Sequence, residues 1–448
     1  MKLKLISSLL MTLIAGDSLA ANTPVKQVAP LDIGVINKER IQYWLEKRGE
    51  LSVDATDAQR KIAIEQFVNA EALSNVKVPL AIRKKTSIAN RKPVNNGVKI
   101  TGIKGLEKQQ TSAEKGTTTV KVLAVMVDFP DLKHDENRLT NADTAMYYDE
   151  YTASHYSDLM FSPTGFEGPS GQNIESAYQF YQQESGETFA LSGQAVGWVT
   201  ADHEAAYYGS NGESYKDTNA AVLVHEAITK AVAEYNIDLS EYDKTDYMDD
   251  DEDGILDEPN GIIDQVMIFH SSVGEEAGGG VLADDAIWSH FHFVFDPATY
   301  KPVNIPNTDY RVFNYTIVPI DAAPGVVVHE FGHALGLPDE YDIDGGEIGS
   351  PVGYWSVMSA GSWVGEPAGT RPVGFSPYAR DEFQSTYGGN WIDQLAVDYS
   401  ELSTRTIDLV EAVNHDGDVN QIKVNLPKKQ VDFGAAYEGE YQYYSNSG

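Results

Sequence analysis

Apolar positions fall into several short and dissimilar patterns along this chain. Val120 to Phe129 (VKVLAVMVDF) is a nearly unbroken apolar run closed by Pro130, as expected of a strand buried on both faces. Ile262 to His270 and Arg311 to Ile320 predict two further strands. Between the first strand and these, Asp217 to Tyr235 sets Val222, Leu223, Ile228, Val232 and Tyr235 on one helical stripe, with Asp217 or Thr218 as the expected cap. A second helix is predicted from Pro324, a residue suited to a first turn, through Val326, Val327, Val328, Phe331, Ala334 and Leu335. Gly336 ends it, because a residue without Cβ can turn the chain through the left-handed conformation. Strands interleaved with a few long helices predict an α+β or α/β-like domain. Past Thr404 the short alternating stretches Arg405 to Val410 and Gln421 to Leu426 predict a β-rich region, and the ending YEGEYQYYSNSG, without a closing element, fits a truncated product. No internal repeat is found.

The N-terminus has its own pattern. Lys2 and Lys4 precede an apolar stretch from Leu5 to Ala15, and Ser18-Leu19-Ala20 offers small residues where a signal peptidase acts. Residues 1–20 are therefore expected to be a secretory signal, and the protein to be secreted and extracellular. A membrane span needs about 20 apolar residues, whereas Ser7, Ser8, Gly16 and Asp17 break this run and no later segment is long enough.

Charge divides the remainder. Residues 21–121 carry 18 Lys and Arg against 10 Asp and Glu, whereas residues 122–448 carry 13 against 56. A net charge of -34 repels nucleic acid and anionic lipid, so no nucleic-acid partner is expected. The basic part, residues 21–115, reads as a pro-segment held partly by charge complementarity to an acidic domain spanning 116–400; a separate small domain is the alternative. Lys99 to Thr119, rich in Gly, Lys, Gln and Thr, reads as an exposed, cleavable linker. Residues 401–448 make the β-rich C-terminal region. There is no cysteine, which removes disulfides, Cys-ligated zinc and thiol catalysis. A pro-segment of this chain must therefore block its enzyme with a carboxylate, a histidine or plain occlusion.

The chemistry concentrates in Pro324 to Asp342, PGVVVHEFGHALGLPDEYD. His329 and His333, four residues apart on a helix, project from one face at a spacing suited to one zinc ion. Glu330 sits beside the site, where its carboxylate can reach a zinc-bound water without ligating the metal. The turn at Gly336 brings Asp339 back toward the same point. Two imidazoles and one carboxylate make a three-ligand site with an open fourth position, the arrangement of a catalytic rather than a structural zinc.

The pattern His329-Glu330-x-x-His333-x-x-Gly336-x-x-Asp339 resembles the zinc signature of the metzincin metalloproteases in its aspartate variant. Met358, in Tyr354-Trp355-Ser356-Val357-Met358-Ser359, is similar to the methionine of the turn beneath the zinc in that clan. The closer resemblance is to the secreted bacterial immune inhibitor A-type metalloproteases, carried by HEFGHALGLPDEYD, WSVMSAGSW, GEEAGGG at Gly274 to Gly280 and AIWSH at Ala286 to His290, and covering roughly Val120 to Asp398. It implies a metzincin-type α+β domain with a mixed sheet, a backing helix and an active-site helix, preceded by a signal and pro-segment and commonly followed by β-rich domains. One departure stands out. Several metzincins have a Tyr two residues after the turn methionine that steadies the tetrahedral intermediate, whereas this chain has Ala360. The oxyanion helper must then be the zinc alone or another group, and by residue type Tyr354, His290 and Tyr378 are candidates.

A second constellation is Asp246 to Asp264, DYMDDDEDGILDEPNGIID, in which Asp249, Asp251 and Asp253 alternate before Gly254 and Asp257 follows. Hard oxygen donors crowded in a turn predict a structural calcium site. An EF-hand is excluded, because its twelfth position from Asp249 is Asn260, not Glu. His225-Glu226 and His203-Glu204 lack a second histidine four residues on, having Thr229 and Tyr207 instead, and are expected to be structural. His290 and His292 alternate as on a strand and lack a third ligand. Together these readings predict a secreted zinc endopeptidase, a hydrolase made as a zymogen, acting on protein or peptide substrates with its own pro-segment as inhibitor. The competing readings are a non-catalytic binding or adhesion protein on the same scaffold and a zinc exopeptidase.

Overall fold

The computed structural model describes residues 32, 34–68, 117–212, 216–246, 249, 253, 255–342, 351–404 and 406–426. The expected signal, nearly all of the expected linker and Asp251 lie outside these residues. Two helices come first, α1 (Lys38–Arg48) and α2 (Asp57–Val68). Asn37 caps α1 by accepting the Arg40 N–H at 3.1 Å, and Gly49 ends it in the left-handed conformation.

The body that follows is built on five strands: β1 (Thr118–Asp128), β2 (Phe189–Thr200), β3 (Val266–His270), β4 (His290–Phe293) and β5 (Asn314–Pro319). Their order is β2-β1-β3-β5-β4. All neighbours are parallel except β4, which runs antiparallel to β5 with His290 opposite Ile317. The sheet is thus mixed, as expected. The expected third run is split: Arg311–Val312 joins a small three-stranded sheet, and β5 starts again at Asn314.

Pleating sorts the apolar run of β1 onto two faces. Val122, Ala124 and Met126 join a core containing α3 (Ala153–Phe161), α4 (Ala177–Glu184) and α6 (Pro324–Ala334), while Leu123, Val125 and Val127 pack with α5 (Ala220–Glu234). α5 is the backing helix. Its expected cap is not observed: Asp217 lies outside the helix at φ 49°, buried, and its Oδ2 accepts the Trp288 N–H at 3.0 Å. That carboxylate is used across the fold rather than along the helix. Beyond α7 (Pro377–Tyr387), β6 (Gln394–Asp398) pairs in parallel with β7 (Gln421–Asn425), so residues on both sides of position 400 share one small sheet. The expected strand at Arg405 to Val410 is not formed in its described part, 406–410. No described helix is long and apolar enough to cross a membrane.

Candidate metal centre

Every residue of α6 except His333 is buried, so this helix has no solvent face and its polar side chains must find partners inside. The helix is fastened on several sides. Tyr181 donates to the Val328 carbonyl at 3.1 Å, and Tyr387 donates to that of Leu335 at 2.9 Å. Gly332 faces Met358 so closely that a Cβ there would stand 2.6 Å from the Met358 sulfur. At Gly336, φ is 106°, and the turn places the Leu337 carbonyl over the end of the helix.

Two carbonyls fix the imidazoles. His329 Nδ1 lies 2.5 Å from the Val357 carbonyl and His333 Nδ1 lies 2.8 Å from that of Leu337. A carbonyl only accepts, so each ring carries its proton on Nδ1 and turns Nε2 inward. Asp339 Oδ1 stands 3.5 Å from His329 Nε2 and 3.2 Å from His333 Nε2. The backbone N–H of Glu340 donates to the Met358 carbonyl at 2.8 Å, which ties the aspartate loop to the turn that also holds His329.

A fourth group arrives from the basic N-terminal segment. Asp32 Oδ2 contacts His329 Nε2 and lies 3.4 Å from His333 Nε2, while Asp32 Oδ1 accepts from the Tyr341 hydroxyl. The ligand atoms of Asp32, His329, His333 and Asp339 all lie within 4.8 Å of one another. Burial disfavours charge on the two imidazoles, yet the carboxylates prevail: Asp32 raises His329 to about 10, and Asp339 and Asp32 raise His333 well above its usual value. Burial would likewise raise Asp32, but His329 and His333 hold it well below the usual carboxylate range. Burial and the Asp32 charge push Glu330 well above its own, and neither of its oxygens has a protein partner. Converging Nε2 atoms with fixed tautomers, carboxylates among them and an unpartnered buried glutamate alongside fit a divalent cation with nitrogen and oxygen donors.

Asp32 is held as firmly as the ligands. Its carbonyl accepts from the Trp288 indole at 2.7 Å, and Gly34 passes so near Tyr341 that a Cβ would stand 2.6 Å from the ring. The described part of the segment also docks through α1. Arg48 donates to the carbonyls of Gly278 and Gly280 at 2.7 and 2.8 Å, and Trp44, 1% exposed, packs at Gly278. Asp143 receives the Tyr43 hydroxyl at 2.8 Å and pairs with Lys47; burial would raise its carboxyl, but these contacts and Thr140 hold it at about 2. Hence GEEAGGG and AIWSH, singled out in the sequence, both contribute contacts to the N-terminal segment.

The sequence-based readings thus meet in space at His329, His333, Asp339, Glu330, Gly336 and Met358. Asp32 and Tyr341 were not anticipated. Asp32 had one visible sign: it is the only acidic residue between Ala21 and Lys38. Among the phenol candidates, Tyr354 is 67% exposed, Tyr378 is 42% exposed in the first turn of α7, and the hydroxyl that reaches the cluster is that of Tyr341. His290 is engaged elsewhere, between the Trp288 carbonyl at 2.7 Å and the Tyr315 hydroxyl at 2.9 Å. Burial lowers it to about 4 and His270 to about 3. His225 contacts the Asn304 carbonyl at 2.9 Å, and Glu226 accepts from Tyr208 at 2.5 Å, both structural uses.

The acidic loop is less complete. Asp251 falls outside the described residues; Asp253 Oδ1 accepts the Ile255 N–H at 2.7 Å, and Asp257 is exposed. Asp243 accepts the N–H groups of Asn260 and Gly261, each at 2.9 Å. Asp264 accepts from Lys244 and Thr245, and burial raises it to about 7. Among the described residues, these acids do not form a metal-holding group of three or more.

The chain is similar to known proteins. Residues 108–392 match the family described as immune inhibitor A peptidase M6, catalytic domain. Over 430 residues the chain is 43% identical to the pre-pro-metalloprotease PrtV of Vibrio cholerae serotype O1, which covers 94% of this chain and 46% of that relative. It is 39% identical over 345 residues to immune inhibitor A of Bacillus thuringiensis subsp. alesti, covering 73% of this chain and 49% of that one. The chain spans about half the length of the curated relatives it matches.

Proposed function

The chain belongs to the immune inhibitor A peptidase family of metalloproteases, and from that premise we propose that it is a secreted zinc endopeptidase made as a zymogen. The observation that carries this is the convergence of His329 Nε2, His333 Nε2 and Asp339 Oδ1 beside the unpartnered Glu330 carboxylate, with an N-terminal carboxylate lying on the same point. His329, His333 and Asp339 would hold the ion. When bound, zinc supplies Lewis acidity, polarising the scissile carbonyl and acidifying water. The protein's part is positioning and proton transfer. Glu330 takes the proton of the attacking water and later gives it to the departing amine. Val357 and Leu337 fix the imidazoles, and Met358 supports α6 from below at Gly332.

In this reading residues 1–20 are the signal, 21–115 the pro-segment, 116–400 the catalytic domain and 401–448 the start of a β-rich region. Latency rests on Asp32, which occupies the ligand cluster, and on α1, whose Lys47, Arg48 and Trp44 anchor the segment. Calcium is proposed to bind the loop bearing Asp249, Asp251, Asp253 and Asp257 and to stabilise it.

The test compares the activated protein with its Glu330→Gln variant on an unstructured protein substrate, with metal content measured on both. Internal cleavage by the wild type, abolished by zinc chelation and reduced at least ~10²-fold in the metal-replete variant, is expected. Equal turnover in the variant refutes the mechanism. Release of single terminal residues points to an exopeptidase, and binding without cleavage to a scaffold that has lost its chemistry.

A further inference from the structure

The chain has alanine at the position where several relatives in the wider clan carry an oxyanion-stabilising tyrosine, yet a phenol stands at the centre by another route. We propose that Tyr341 is a catalytic residue of the mature enzyme, donating a hydrogen bond to the oxygen of the attacked carbonyl; this rests on reading the cluster as a zinc peptidase site. The geometry comes from Asp32. Its carboxylate sets two oxygens on one carbon: Oδ2 lies among the ligand atoms, against His329 Nε2 and 3.4 Å from His333 Nε2, and Oδ1 accepts from the Tyr341 hydroxyl. A peptide carbonyl attacked by water also carries two oxygens on one carbon. A group of that shape placed where Asp32 lies would have one oxygen at the cluster and the other on Tyr341.

The phenol is not held by Asp32 alone. Residue 340 is fixed on both its backbone and its side chain: its N–H donates to the Met358 carbonyl at 2.8 Å, and its carboxylate accepts from the Ser376 hydroxyl. Tyr341 follows directly, two residues beyond Asp339. Removal of the N-terminal segment therefore leaves the chain on the N-terminal side of Tyr341 anchored, with its hydroxyl free to meet a new acceptor. Glu330, next to His329 on the helix, is buried with no hydrogen-bond partner on either oxygen.

The step balances without any further reactant. The water oxygen bonds to the carbonyl carbon, one water proton passes to Glu330, and the C=O π pair moves onto the carbonyl oxygen. Tyr341 donates a hydrogen bond to that oxygen and keeps its proton. When the pair returns, the C–N bond breaks and the amine leaves with the proton carried by Glu330. Donors aimed at a developing oxyanion act on the transition state more than on the bound substrate.

The experiment uses the activated wild type, Tyr341→Phe and Glu330→Gln, each assayed for metal content, melting temperature, kcat and KM on one peptide. The affinity of a phosphinic peptide, whose tetrahedral phosphorus carries two oxygens, is measured beside that of an uncleaved product peptide. For Tyr341→Phe the expected result is full metal content, kcat lower by ~10²–10³-fold, little change in KM, and a matching loss of phosphinic-peptide affinity that the product peptide does not share. Unchanged kcat in metal-replete Tyr341→Phe overturns the proposal. So does loss of metal, or an equal loss for both peptides, because either makes the phenol structural. Should Glu330→Gln keep full activity, or the wild type cleave without metal, the zinc-peptidase reading fails instead, and the two failures remain distinguishable.

Discussion

Two carboxylate-rich regions of this protein differ in where their oxygens point. At the histidine centre, Asp32 and Asp339 direct oxygens at imidazole nitrogens whose other faces are already bound to carbonyls. In the loop between Asp243 and Asp264, three described carboxylates accept from nearby backbone N–H groups, as in Asp243 to Gly261, Asp253 to Ile255 and Asp264 to Lys244. The first is a rigid convergence assembled from a helix, a turn and a distant segment. The second, in its described part, is a series of local turns. Counting charges therefore understates the helix, which contributes only three ionisable side chains.

The comparison can be broken by substitution. The largest effect is expected from Asp339→Ala in the activated protein: metal content should fall and activity drop by more than ~100-fold, the upper range for groups one step removed from a metal. Asp251→Ala with Asp253→Ala should leave zinc content unchanged, and an equal zinc loss in both variants would mean that the two regions are not distinct metal sites. Next comes Asp32→Asn in the separately produced segment 21–115, added to the activated protein. Truncating one partner of a buried charged contact costs about 2–5 kcal/mol, so the separately added segment 21–115 should inhibit at least ~30-fold less well. Its potency should also decline with added salt, through Lys47 and Asp143. Unaltered inhibition by the Asn variant would mean that α1 alone carries latency.

A smaller effect is expected from calcium. At a hundredfold excess over Kd, a cation binding only the native state stabilises by about 2.7 kcal/mol, roughly 5–10 °C in melting temperature for a domain of this size. The Asp251→Ala, Asp253→Ala variant should lose that response. If instead it melts at or above the wild-type temperature with no calcium dependence in either protein, the loop is only a solvated acidic turn. The smallest effect separates the two classes of histidine. Burial holds His290 at about 4 and His270 at about 3, below the unfolded value near 6.5. Their contribution is complete above pH 6.5 and is lost as pH falls toward 4, because the unfolded chain then binds more protons. Each should remove about 1 kcal/mol between pH 7 and 5.5, and His290→Gln should reduce that slope by one histidine's share in a denaturant titration.

Legibility followed locality. The helix with His329 and His333 was readable because spacing, Pro324 and Gly336 all lie within one stretch of thirteen residues. The pairing of β1 with its neighbours was less so, yet its continuous apolar run correctly marked a strand covered on both faces. Asp217 misled because cap chemistry and long-range use of a carboxylate look alike in sequence; its bond to the Trp288 N–H spans 71 positions. Asp32 was hidden for the same reason, 297 residues from His329. No periodicity connects such positions, and only the folded path of the N-terminal segment reveals them.

The carbonyls of Val357 and Leu337 have a consequence for how an ion could arrive. Since each claims the Nδ1 side of one imidazole, tautomer and ring rotation are settled by folding, before any cation is present. Such a socket is preorganised: the conformational entropy of ordering two side chains is lost when α6 packs, not when metal enters. Uptake then reduces to exchanging protons, and a departing carboxylate, for an ion on rings that need not move.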